Sequence, residues 1–255
     1  EAGWRQVVIL PRGASPAADR LRRAGVEVVP LQLWRLRRGA QALPSLLGCA
    51  VSAWRLASVY QMLGLDLLQF AGVQNLHVAV PARMLGIPVV CQLLSTFVPP
   101  FLRAIFSPIV GYVSDVVMAT GEAVLRAHPG IAARHKTVYT FYPPINVEAL
   151  VALRKERQSA RRGLGIPSNA TCVITLGNFV PQKGHREFVT VAALLSRSYK
   201  DVYFRVVGAF VPGHEKYYYR NVIGYAKRLG LLEGARLAFV EAGSHARELL
   251  AGGDI

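Results

Sequence analysis

Apolar positions along the chain come in short blocks that switch between two periods. Runs of mostly aliphatic, β-favouring residues at 6–10, 26–31, 66–70, 87–94, 115–119 and 136–140 predict strands. Between them the apolar spacing widens to that of a helix, after Ser15-Pro16 as far as Gly25, then over 46–63, 77–85 and 122–127. Ser15 supplies an N-cap and Pro16 the first helical position. Strands alternating with helices predict a parallel, doubly wound sheet.

The rhythm breaks at Phe141-Tyr142-Pro143-Pro144-Ile145-Asn146, because paired prolines remove donors and restrict the residue before them. A basic helix over 149–162 follows, closed by Gly163-Leu164-Gly165-Ile166-Pro167. The strand-helix pattern then resumes. A strand over 172–176 stops at Gly177, and Phe188, Val191, Ala192 and Leu195 trace a helical stripe. A strand over 202–207 ends at Gly208, and Tyr218, Val222, Tyr225, Ala226 and Leu229 trace a second stripe. A third strand covers 236–240, Ser244 caps a helix through Leu250, and Asp254-Ile255 begins a fourth strand. These breaks divide the chain into a first domain over 1–145, a linker and helix over 146–169, and a second domain over 170–255.

Composition narrows the class. With 255 residues, 52% hydrophobic and 18% charged, the chain is long and apolar enough for one large or two medium cores and too apolar to be disordered. Thirty basic residues against 15 acidic give a net charge of +15, which points to an anionic partner such as nucleic acid, phospholipid headgroups or a nucleoside diphosphate. Only six of the thirty are lysines, and base composition of the gene contributes to such an arginine excess. Aromatics and arginines are not interleaved as on a single-strand platform, and no recognition-helix motif stands out, so nucleic acid is disfavoured. Cys49, Cys91 and Cys172 lie far apart in apolar runs, unlike a zinc pattern or a disulfide framework, and suit a reducing cytoplasm. No metal cluster is visible.

Three segments carry alternatives. The run Trp34-Arg35-Leu36-Arg37-Arg38 would touch phosphates or lipid headgroups, or form a solvated face, the commoner use of such a run. The apolar stretch 97–113 holds a single cation and suits a membrane interface, with burial in a core or interdomain cleft as the safer reading. His77 beside apolar residues reads as structural. No apolar run reaches spanning length; the longest, 87–119, contains Arg103, Asp115 and four prolines.

The sharpest candidate chemistry is Gly177-Asn178-Phe179-Val180-Pro181-Gln182-Lys183-Gly184, at the carboxyl end of a strand where open α/β sheets place ligands. Lys183 is a candidate phosphate contact, with a surface lysine in an ordinary strand-to-helix loop as the equal alternative, and Gly184 lets a ligand approach the backbone. This stretch resembles the signature that opens the second domain of the retaining GT-B nucleotide-sugar glycosyltransferases of the group one (family four) type, a glycine-arginine pair, a short loop, then lysine-glycine. Leu21 to Val28, Ala82 to Val90 and Ser114 to Thr120 resemble first-domain phrases of the same family, in the same order. The resemblance implies two Rossmann-like doubly wound domains with the second incomplete. It also implies a co-substrate that is a UDP-, GDP- or ADP-sugar with no further cofactor, and a glycan or lipid-linked acceptor in cell-envelope polysaccharide or glycolipid synthesis. The location implied is cytoplasmic or peripheral at the inner face of an anionic membrane.

Residue by residue, the resemblance places Lys183, Asn178, Gly177 and Gly184 at the donor diphosphate and Gly208, Glu241, Ala242 and Gly243 near the nucleotide. Asn178 stands where the family has arginine, so affinity is weaker, another cation substitutes, or this chain has diverged. Where a histidine often follows the strand ending near Val90, this chain has Cys91 to Thr96, and no catalytic residue is assigned. The family's glycine-rich loop would precede Glu1 and its two-glutamate motif would follow Ile255. The segment alone is therefore expected to bind donor weakly and to turn nothing over. Two other readings stay open: a nucleotide-sugar epimerase or phosphorylase on the same architecture, and a non-enzymatic basic binder of anionic surfaces.

Overall fold

The computed structural model describes residues 3–13, 16–34, 42–131 and 137–255. The chain divides into two compact units, 1–143 and 144–255. Residues 146–169, assigned to a linker by sequence, fall in the second unit.

In the first unit, β1 (Val7–Pro11) pairs in parallel with β2 (Glu27–Leu31). A second parallel sheet runs β3 (Leu68–Ala71), β4 (Val89–Leu93), β5 (Val116–Ala119) and β6 (Val138–Thr140), in that spatial order. Helices α1 (Pro16–Arg23), α2 (Ala42–Leu63), α3 (Ala79–Met84), α4 (Pro100–Val113) and α5 (Glu122–Arg126) connect them. The core beneath α2, α3 and α4 holds Leu56, Tyr60, Phe70, Val89, Cys91, Val110 and Val117, with Ile9 and Leu31 of the smaller sheet packed against it. Each such aliphatic side chain contributes about 1.5–3 kcal/mol by leaving water.

Two expectations change here. The helix expected over 77–85 is a 3-10 segment, Val73–Val78, that hands over to α3, because Gly72 with φ 78° turns the chain in five residues earlier. The stretch 97–113 is not simply buried. Ser107, Val110, Gly111 and Val113 of α4 face inward, while Phe101 and Tyr112 are 64% and 80% exposed. Helix α2 shows the same division, with Leu43, Leu47, Val51 and Trp54 exposed opposite buried Cys49, Ser52 and Leu56. His77 is structural in the sense that both ring nitrogens are buried, without hydrogen-bond partners among the described residues. The arginine run at 35–38, Ser15 and Lys136 lie outside the described residues.

The second unit is a parallel sheet of β7 (Thr171–Leu176), β8 (Val202–Gly208) and β9 (Leu237–Glu241), with β8 in the middle. On the free edge of β7, Asp254 donates its amide to the Cys172 carbonyl at 2.8 Å and Ile255 accepts from Ile174 at 2.9 Å. The first strand thus has the second on one side and the residues at 254–255 on the other, the reversal of order at which doubly wound sheets bind ligands. Period two splits β8 between faces. Phe204 and Val206 join Val189, Tyr218 and Val222 on one side, and Val207 joins Leu164, Cys172 and Ala242 on the other.

The helix expected over 149–162 is two. Asn146 caps α6 (Val147–Ala152) by accepting from the Ala149 amide at 2.8 Å, and a 3-10 turn at Leu153–Glu156 leads into α7 (Arg157–Gly163). Two buried arginines tie this segment to the sheet. Arg205, 1% exposed, donates to the carbonyls of Leu164 (2.7 Å), Gly165 (3.1 Å) and Phe204 (2.8 Å), which satisfies the end of α7 with a cation on its negative pole. Arg161 donates to the carbonyls of Pro167 (2.7 Å) and Ala170 and pairs with Asp254 at 3.0 Å. Burial pushes the Asp254 carboxyl up, but the Cys172 amide, Arg157 and Arg161 outweigh it and leave it below its ordinary value.

Candidate functional site

The sequence-predicted site residues lie along the carboxyl edge of β7, β8 and β9, where three strand ends bring distant glycines together. Gly177 follows β7 and donates its amide to Val207 at 2.9 Å. Gly208 closes β8 so tightly against it that a Cβ there would lie 2.0 Å from the Gly177 carbonyl oxygen and 2.8 Å from the Phe179 ring. No side chain fits at Gly208 without moving backbone. Glu241 is in register with Gly208, and the Ala242 amide donates to the Gly208 carbonyl at 3.0 Å. Gly243, with φ 48°, turns the chain away into a 3-10 turn ahead of α11 (Ala246–Leu250). The α11 N-cap position is His245, which makes no side-chain cap; the Ser244 side chain lies outside the described residues.

Beyond Gly177 the loop is pinned by Phe179. Its amide donates to the Ala209 carbonyl at 2.8 Å, and its ring stacks on Tyr218 at 4.7 Å and meets Phe210 edge-on at 4.9 Å. Tyr218 belongs to α9 (Glu215–Tyr218), which continues through a π segment, Tyr219–Ile223, into α10 (Gly224–Arg228). Tyr218 is fully buried and anchors this helix to the sheet, whereas Tyr217 and Tyr219 are exposed, Tyr219 stacking on Phe210 at 5.0 Å.

Asn178 is exposed. Pro181–Lys183 forms a 3-10 turn, and Gly184 takes the left-handed conformation (φ 67°, ψ 21°) that starts the fourteen-residue helix α8 (His185–Ser198). Lys183 therefore stands at the positive end of α8, where backbone amides and dipole already favour an anion. Its stem folds back over Gly177, whose Cβ would lie 3.1 Å from Lys183 Cδ and 3.5 Å from His185 Nε2. Gly177, Gly208, Lys183 and Ala242 are thus gathered at one edge.

His185 was missed by sequence reasoning, though it directly follows the lysine-glycine pair. It is 2% exposed, with Nδ1 at 2.8 Å from the Tyr218 hydroxyl. Burial and the charge of Lys183 together push its pKa down, so the ring is neutral at pH 7.

A surface cavity of about 530 Å³ lies elsewhere in this unit, lined by Leu150, Arg154, Arg157, Arg247, Leu250 and Asp254, and it includes none of these site residues. Among the described residues no group of three His, Cys, Asp or Glu side chains is placed to hold a metal ion. None of the described helices is long and apolar enough to cross a membrane.

No protein-family model and no curated protein matches the chain. Solved structures match it by fold. Alr3699/HepE of Anabaena, in complex with UDP and glucose, has a TM-score of 0.73 over 97% of this chain and 64% of its own, at 18% identity. A glycosyltransferase from Rickettsia africae gives 0.69 over 96% and 62%, at 12% identity. A UDP-forming α,α-trehalose-phosphate synthase from Burkholderia xenovorans gives 0.66 over 85% and 56%, at 16% identity. The chain spans somewhat under two thirds of the length of each. What it shares with them is an α/β architecture of Rossmann-like parallel sheets, the GT-B fold of nucleotide-sugar glycosyltransferases.

Proposed function

We propose that this chain belongs to a glycosyltransferase that moves a sugar from a nucleoside-diphosphate sugar to a glycan or lipid-linked acceptor with retention of configuration. In this reading 1–145 faces the acceptor and 170–255 holds the donor. The observation that carries it is Lys183, folded over Gly177 at the N-terminus of α8 beside the strand-order reversal of the second sheet. A cation, helix amides and a side-chain-free strand end are what a diphosphate needs.

Chemically, the task of such a site is to stabilise charge that builds on the leaving diphosphate. Lys183 and the first amides of α8 are preorganised for it, so little reorganisation is needed as the bond breaks. Gly208 keeps the strand ends close enough for the backbone to meet the nucleotide, and Glu241 to Gly243 border the same edge.

The exposed apolar faces of α2 and α4, on a chain of net charge +15, support placement at the inner face of an anionic membrane. That placement suits a lipid-linked acceptor and a role in envelope polysaccharide or glycolipid synthesis.

Calorimetric titration with UDP, GDP and ADP, beside a Lys183→Ala variant, tests the donor site. One nucleotide should bind, and the variant should bind it weaker by about 1.5–3 kcal/mol, the range for a charge-assisted contact. Equal binding by the variant would remove the assignment.

A further inference from the structure

His185 carries a puzzle that the lysine alone does not solve. Its Nε2 is buried and has no hydrogen-bond partner among the described residues, although the site lies at the sheet edge beside a cation. An unpaired buried donor or acceptor costs about 1–3 kcal/mol and persists where some other state satisfies it.

The tautomer follows from the partner. The Tyr218 hydroxyl is buried and its hydrogen bond is with His185 Nδ1. A phenol has one proton to give, and burial pushes its pKa far up, so it stays protonated. It donates to Nδ1, Nδ1 holds the lone pair, and the single proton of the neutral ring sits on Nε2. Phe179 stacked on Tyr218, and edge-on to His185 at 6.0 Å, holds both rings in place. Nε2 lies 3.5 Å from where a Gly177 Cβ would stand, a space that Lys183 Cγ and Cδ fill at 3.2 and 3.1 Å, so a ligand oxygen reaches Nε2–H only once that stem swings aside.

We propose that His185 Nε2–H is a second, neutral donor to the anion held by Lys183, taking a diphosphate oxygen of the nucleotide sugar. This rests on the donor-site reading above and adds a residue to it. A neutral donor here supplies direction where Lys183 supplies charge, and it does so beside the uncharged Asn178. The opposite tautomer would aim a lone pair at the anion and repel it.

The experiment is a two-bond proton-nitrogen correlation spectrum of the histidine rings at about pH 8, where the imidazole is neutral, taken during titration with UDP, GDP or ADP. His185 is expected as the Nε2–H tautomer, with its Nε2 resonance moving as the nucleotide saturates. His185→Gln, whose amide can place an N–H near Nε2, should keep affinity within a few-fold, and His185→Asn should lose roughly tenfold or more. An Nδ1–H tautomer, or an Nε2 resonance that stays still while a Lys183-dependent nucleotide binds, overturns the proposal and leaves the donor site standing. So does His185→Asn binding as tightly as the unaltered chain. If none of the three nucleotides binds the unaltered chain, the donor-site reading and this proposal fall together. The spectrum of the unaltered chain decides the matter even where a variant fails to fold.

Discussion

The two units bury arginine in opposite ways. In the second, Arg205 and Arg161 are almost wholly enclosed and donate to backbone carbonyls and to Asp254, although Arg161 Nε is buried without a hydrogen-bond partner among the described residues. In the first, Arg103 sits in the opening turn of α4 with Nε and Nη1 buried and without partners among the described residues, and the Ser107 hydroxyl one turn on is in the same condition. The apolar surface divides likewise. The second unit draws Phe179, Phe210, Tyr218 and Phe239 into one aromatic cluster, while the first leaves Trp54, Phe101 and Tyr112 exposed. The aromatic packing of the second unit lies at its strand ends, and the exposed apolar residues of the first include those on the outer faces of α2 and α4.

The contrast in arginines gives the largest expected effect. Arg205→Met should destabilise the chain by about 3–5 kcal/mol, because the buried carbonyls of Leu164, Gly165 and Phe204 lose a donor, each at a cost of about 1–3 kcal/mol. Arg103→Met should change stability by less than about 1 kcal/mol, since the two buried nitrogens it removes have no partners among the described residues. Urea unfolding of both variants measures the difference, and equal losses would erase the comparison. The aromatic contrast is nearly as large. Phe179→Ala should cost about 3–5 kcal/mol as a buried ring is lost, against less than about 0.5 kcal/mol for exposed Phe101→Ala.

Gly208→Ala sharpens the comparison at the site itself. The added methyl meets the Gly177 carbonyl, so a loss of about 1–3 kcal/mol is expected in thermal melts, together with weakened nucleotide binding. Among the smaller effects is that of pH. Burial lowers the pKa of His77 and His128 in the first unit and of His185 in the second, with Arg103 adding to the shift at His128 and Lys183 at His185. A histidine held neutral favours folding above its unfolded value of 6.5, and that contribution fades as pH falls below it. Melting temperature should therefore drop on acidification, and His77→Leu should flatten the dependence. Smallest in stability is Trp54→Ser, expected within about 0.5 kcal/mol, yet it should reduce sedimentation with anionic vesicles if α2 meets a membrane.

Local pattern made much of this legible. The strands follow from runs of β-favouring residues, and Gly177 and Gly208 mark their ends because glycine breaks the pattern where the backbones close up. Lys183 stood out because a lysine-glycine pair follows a strand end where open α/β sheets place ligands, although an ordinary surface lysine fits the same loop. What pattern did not reveal depends on distance. Tyr218 is 33 residues from His185, and a tautomer set by such a partner leaves no trace in either local sequence. The π segment at Tyr219–Ile223 was hidden for a related reason, since one widened turn hardly shifts an apolar stripe. The inward and outward faces of α4 were blurred because apolar residues occupy both.

The clasp of Arg161 on Asp254 also sets a schedule. The two are 93 residues apart, so a ribosome adding about 5–20 residues per second leaves the guanidinium without its carboxylate for roughly five to twenty seconds. Until then the edge of β7 is uncovered and one positive charge destined for burial is unmatched. The helices α6 and α7 are thus expected to settle onto the sheet only after Asp254 has been made.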